Sequence, residues 1–155
     1  MRFIVALVAV LLESSTLAGA QTVPGDRFAA LAGNWACQSA NGVQTSHLYE
    51  AKRDGSIELT NLAKLENAQP ITEHYGWDGR KKLWTLQGAF GFNAVAGPWT
   101  DESWVFDGHM TELPRQPEMR IVYTFVDAGH FKRDFGYLRD GTWVPGTGET
   151  CSKGG

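Results

Sequence analysis

The chain has 155 residues, a formal net charge of −3 and 43% hydrophobic residues, including six Trp, eight Phe and four Tyr. A mildly acidic balance without a basic block gives no electrostatic support for nucleic acid or an anionic membrane surface as partner. The aromatic content points to a core or cavity built from rings rather than from Leu and Ile.

Residues 1–20 read as a secretory signal peptide. Met1 and Arg2 give a cationic start, Phe3 to Leu12 form a continuous apolar run, and Ala18-Gly19-Ala20 supplies the small residues a signal peptidase reads. The run is shorter than the roughly 20 apolar residues that span a bilayer, so no stable membrane insertion is expected. Gln21 stands where a lipoprotein would carry a cysteine. The expected mature chain, residues 21–155, is one domain, secreted or periplasmic, and long enough to bury a core.

In the mature part, Pro24 to Ala32 is the one helix candidate: Asp26 can cap it, Phe28 and Leu31 share a face, and Gly33 ends it. Beyond Gly33 the chain reads as about nine short strands, near 34–40, 45–53, 56–63, 70–77, 82–88, 101–106, 118–126, 130–138 and 143–151. Asn41-Gly42, Asp54-Gly55, Asp78-Gly79, Asp107-Gly108 and Asp140-Gly141 are tight-turn dipeptides, and Asp127-Ala128-Gly129 is a three-residue version. The segment Gly88 to Trp99 is apolar but rich in glycine and carries Pro98, so it reads either as a lid over a barrel mouth or as a bulged strand. Glu112 to Glu118, with Pro114 and Pro117, reads as a surface connection. No βαβ pattern is present.

Cys37 and Cys151 are the only two cysteines. In an exported protein such a pair reads as a disulfide. Closing so long a loop is worth on the order of 4 kcal/mol before strain, and it requires the two Cα atoms to lie within about 7 Å. The first and last strands must then be neighbours. The expected fold is therefore all-β: a closed or nearly closed antiparallel meander barrel of about 8–10 strands with a short N-terminal helix.

Charges sit inside several aromatic faces. At period two, Glu73 falls with Ile71, Tyr75 and Trp77, Glu102 with Trp104 and Phe106, and Arg133 with Phe131, Phe135 and Tyr137. If those faces line the barrel, the charges need each other, water or a ligand; otherwise they lie at strand ends and reach solvent. The candidate pocket set is Trp35, Glu73, Tyr75, Trp84, Glu102, Trp104, Tyr123, Arg133 and Phe135. Of the histidines His47, His74, His109 and His130, no two stand at i, i+2 or i, i+4, so neither a metal site nor a cofactor is expected. His74 is expected outside the barrel. No nucleophile elbow, phosphate loop or zinc-protease motif occurs, and no catalytic residue is assigned.

Gly33-Asn34-Trp35, at the opening of the first strand, resembles the Gly-x-Trp start of lipocalins and other calycins. The longer pattern is most similar to a family of bacterial calycin-like barrels of unknown function. It shares with them Leu31-x-Gly33-x-Trp35, the hairpin over residues 75–84 and the Trp-Val-Phe-Asp-Gly segment at 104–108. The resemblance implies that Trp35 seals a closed end and packs against a basic side chain of a late strand, Arg133 or Arg139. Ala36-Cys37-Gln38 replaces the glycine-repeating extension of haem-binding nitrobindins, so no haem is implied. The expected function is an exported barrel that binds a small apolar or aromatic ligand. Two alternatives remain open, a cavity-based isomerase or lyase on a small hydrophobic substrate and a solid-core structural or partner-binding barrel. The oligomeric state is left open too.

Overall fold

The structure is a computed structural model, described for residues 30–99 and 102–154. Ten strands follow one another: β1 Gly33–Ser39, β2 Gln44–Ala51, β3 Ile57–Ala63, β4 Ile71–Asp78, β5 Leu83–Gly88, β6 Phe92–Ala96, β7 Ser103–Met110, β8 Glu118–Asp127, β9 His130–Arg139 and β10 Thr142–Lys153. Each pairs antiparallel with its sequence neighbour, and β1 pairs with β10, so the sheet closes on itself and leaves no open edge. The expected signal segment lies outside the described residues. So does most of the expected helix at Pro24 to Ala32; only its end is seen, Ala30 and Leu31 being helical, and the described chain otherwise carries just a 3₁₀ turn at Ala89–Gly91. Among the described residues no helix is long and apolar enough to cross a membrane, a statement that does not extend to β-barrels.

The disulfide forms across the closing seam. Cys37 and Cys151 are register partners between β1 and β10 and are bonded, with their Cα atoms 4.0 Å apart. Closure thus has a covalent as well as a hydrogen-bonded component, and both rest on terminal strands being neighbours.

Alternation along each strand sends one side-chain set inward. Trp35 and Cys37, Tyr49, Ile57 and Leu59, Tyr75, Trp84 and Leu86, Trp104 and Phe106, Tyr123 and Phe131 are all buried. Some turns are built by residues that tolerate positive φ. Asp140 and Gly141, at φ 51° and 75°, give the β9–β10 turn the both-positive backbone that suits a twisted hairpin.

Two readings of the sequence are corrected. The Gly88 to Trp99 segment is neither a free lid nor one bulged strand: it divides into the 3₁₀ turn, a regular strand β6 that pairs on both sides, and a short return in which Trp99 is buried. Asp107-Gly108 is not a turn but lies within β7. Gly108 is there for a different reason, because a Cβ at that position would overlap the Asn93 carbonyl oxygen and the backbone of Ala94 on β6. The dipeptide signals a close approach of two strands.

The barrel has a closed end and an open one. At the closed end Trp35 meets Phe131 edge-on at 4.7 Å between ring centroids, Phe125 stacks on Phe131, and Trp99 stacks on Trp104 at 5.1 Å. The Trp35 indole N–H donates to the Leu31 carbonyl at 2.7 Å, which ties the entry of the chain across that end. The cation over Trp35 is Lys153, 5.3 Å from the ring centroid, and not Arg133 or Arg139. Arg133 is taken up inside the barrel, while Arg139 lies over Tyr137.

Candidate functional site

The interior of the open half is polar at its centre. β9 turns Arg133 inward between Phe131 and Phe135, and β4 turns Glu73 inward two residues before Tyr75. Arg133 is fully buried and Glu73 is 8% exposed, so each charge has lost most of its hydration and requires the other. One Arg133 terminal nitrogen, Nη2, reaches both Glu73 carboxylate oxygens at 2.6 Å. The guanidinium also lies over the Phe135 ring at 4.5 Å and the Tyr123 ring at 5.4 Å. Two further guanidinium atoms, Nε and Nη1, are buried without a hydrogen-bond partner.

From Glu73 a hydrogen-bond chain crosses the barrel. The Tyr75 hydroxyl donates to Glu73 Oε2 at 2.5 Å, lies 2.5 Å from the Tyr123 hydroxyl, and that oxygen lies 3.4 Å from the Tyr49 hydroxyl. A phenol has one proton to give. Since Tyr75 gives its proton to Glu73, Tyr123 must donate to Tyr75 and Tyr49 to Tyr123. The polarity of the relay therefore follows from its anchoring at the carboxylate. Burial, with Glu73 adding to it, holds the Tyr75 hydroxyl well above the ordinary phenol pKa; burial and Tyr123 do the same for Tyr49. Tyr123 is raised mainly by burial, against the lowering effect of Arg133. Burial disfavours the Arg133 charge, but Glu73 and the phenols more than offset it and raise its pKa well above the ordinary value.

Beside this lies a second polar group that the sequence reading missed. Thr45 and His47 on β2 and Glu149 on β10 are buried together. The Thr45 hydroxyl donates to Glu149 Oε1 at 3.1 Å, and His47 Nε2 lies 3.3 Å from Glu149 Oε2. Burial pushes the Glu149 carboxyl up, but His47 and Arg133 overcome it and leave the pKa below the ordinary carboxylate value. Glu149 is also the register partner of Arg133 across β9 and β10.

The candidate residues thus separate. Glu73, Tyr75, Tyr123 and Arg133 converge on one network, with half-buried Phe135 against it. Trp35, Trp84 and Trp104 are buried towards the closed end and belong to the packed core. Glu102 does not point inward: it precedes β7 and is exposed. Period two carries it onto the Trp104 face only if the strand begins earlier than it does. His74 is exposed, as expected.

Above the network, at the mouth, is a cavity of about 140 Å³. Its walls include Ile71, Phe92, Met110, Met119, Ile121 and Phe135, and Glu73 is the one titratable residue among those lining it. Of the candidate pocket set, Glu73 and Phe135 line this cavity; Met110 and Phe92 escape the sequence reading because they lie outside the strands it draws.

No family model and no curated protein matches the chain. Among solved structures it is similar to a redesigned β-barrel, mFAP1, bound to DFHBI. That match has 12% identity and a TM-score of 0.43, and covers 83% of this chain and 100% of the other. It is similar also to EF1p2_mFAP2b bound to DFHBI, at 14% identity and a TM-score of 0.42, covering 81% of this chain and 95% of that one. The assignment of the fold rests on the strand register above.

Proposed function

We propose that the protein is an exported calycin-like barrel that binds a small apolar or aromatic molecule at its open end. The supporting observation is the mouth cavity itself, whose apolar walls end on the Glu73 carboxylate. An apolar cavity of about 150 Å³ accepts a benzene-sized molecule, so the volume suits a single ring. Glu73 already accepts from Arg133 and Tyr75. A carboxylate has about four acceptor positions, which leaves capacity for one ligand donor. The favoured ligand is a one-ring molecule with a hydroxyl or amine turned towards Glu73, such as a simple phenol. With Glu73 as the one titratable lining residue, acid and base roles on a substrate would both fall on it, which gives the isomerase or lyase alternative little to work with.

A second reading has its own observation. The middle of the barrel is filled by Tyr49, Tyr75, Trp104, Phe106 and Tyr123, all at most 2% exposed, which is what a solid-core partner-binding barrel requires. Calorimetric titration with phenol and with benzene separates the two. The binding reading expects saturable heat, stronger for phenol, and its loss in Ile121→Phe, which fills the cavity from its apolar wall. No saturable heat for either compound would leave the solid-core reading standing.

A further inference from the structure

The closing disulfide has a neighbour that a purely structural bond does not need. The imidazole of His47 offers a ring nitrogen that lies, with the Sγ atoms of Cys37 and Cys151, in a group whose atoms are all within 4.8 Å of one another. All three residues are buried, His47 at 1% exposure. They come from three strands: β1 and β2 form a hairpin, and β10 is brought beside them by barrel closure, which no local spacing in the sequence reveals.

The two nitrogens of His47 are in different situations. Nε2 faces the Glu149 carboxylate and the Thr45 hydroxyl, both at 3.3 Å. Nδ1 is buried with no hydrogen-bond partner. The Thr45 hydroxyl gives its one proton to Glu149, so the His47 Nε2–H donates to the Thr45 oxygen, beside that carboxylate, and the lone pair stays on Nδ1. That is the arrangement by which proteins prepare a histidine to bind zinc, a carboxylate fixing the tautomer while the free nitrogen ligates. A buried ring nitrogen without a partner is costly if its role is packing alone.

We propose that reduction of Cys37–Cys151 converts this seam into a binding site for zinc or a zinc-like divalent cation, ligated by both sulfurs and His47 Nδ1, with Glu149 as orienting partner. The remaining position is open to water. Two thiol molecules supply the reducing equivalents: they are oxidised to their own disulfide, the S–S bond breaks, and each cysteine sulfur gains one proton and one electron. The cation then binds both sulfurs as thiolates and releases their two protons to solvent. Two sulfurs and an imidazole with one exchangeable position is a ligand set that zinc accepts. Cys37 and Glu149 also border a groove on the outer face of β1 and β10, with Ser39, Gln44, Gly146 and Gly148. The oxidised protein holds the seam by a covalent bond, and the reduced protein would hold it by the metal.

The test is a titration of the full exported chain with Co²⁺, then Zn²⁺, after reduction by a phosphine without oxygen. Thiolate-to-cobalt charge-transfer absorption should appear, saturate at one equivalent, vanish on adding Zn²⁺ and be absent from the oxidised protein. His47→Gln should weaken cobalt binding by at least about tenfold. Near-ultraviolet circular dichroism of the tryptophans should be retained in the metal-bound reduced form, and the oxidised variant checks that the substitution itself permits folding. The proposal is overturned by a reduced protein that gives no charge-transfer band, by unchanged affinity in His47→Gln, or by metal binding accompanied by loss of the aromatic signal.

Discussion

Replacing Glu73 by Leu removes the anion that faces Arg133 and leaves a fully buried guanidinium with neutral tyrosines and aromatic faces. Breaking a buried pair by removing one partner typically costs about 3–5 kcal/mol. Here Glu149, opposite Arg133 in the β9–β10 register, supplies a second negative charge nearby, so a value near about 3 kcal/mol is expected. Arg133→Met has a different remainder. Glu73 keeps the Tyr75 hydroxyl and lines the mouth cavity, where it can be hydrated, so its loss should lie at or below about 3 kcal/mol. The double variant leaves neither charge exposed to the other's absence and should cost less than the two losses added together, with a coupling of at least about 2 kcal/mol. Urea denaturation followed by tryptophan fluorescence measures all four corners of the cycle. Additivity within about 0.5 kcal/mol would refute the buried ion pair as the organising contact of the interior.

Glu149 makes stability depend on pH in a defined direction. Its pKa is lowered in the folded state, so its contribution is complete above the ordinary carboxylate value and is lost as pH falls through the lowered one. Denaturation midpoints measured from about pH 7 to about pH 3 should fall less steeply in Glu149→Gln; an unchanged slope would contradict this. The phenols act at the other extreme. Tyr49, Tyr75 and Tyr123 have raised pKa values, so their contribution is complete below the ordinary phenol value and is lost as pH rises beyond it. Their phenolate absorbance should appear together with unfolding, and independent titration near pH 10 would count against the relay. Gly108→Val should destabilise by about 3 kcal/mol or more, because its side chain displaces β6; exchange of the β6 amides is the local readout.

The barrel was legible because its strongest constraints were local or topological. Turn dipeptides such as Asp140-Gly141 need only their own φ angles, and the two cysteines alone demanded adjacent terminal strands. β6 was obscured because its burial depends on partners on β5 and β7, while its flanking glycines imitate a loop. Gly108 misled for the same reason: a glycine placed for a close approach between strands looks identical to one placed for a turn. In the site, Glu73 and Arg133 stood out as charges within aromatic periodicity, and the structure brings them together. Glu102 has the same periodicity but falls outside its strand, and no pattern of alternation marks where a strand begins. His47, Thr45 and Glu149 were hidden because their proximity arises from closure; pairing β1 with both β2 and β10 at the outset would have placed His47 beside the disulfide. The Lys153 contact with Trp35 likewise follows from the β1–β10 seam, which carries Lys153 opposite Trp35.

The most direct test of the binding site is to watch the mouth cavity during ligand addition. With ¹³C-labelled methionine methyl groups, Met110 and Met119 report from its walls. The proposed binding site requires both methyl resonances to shift saturably as phenol is added, and to stop responding in Ile121→Phe. Methyl resonances that stay fixed while the protein remains folded would contradict a ligand site at the open end of the barrel.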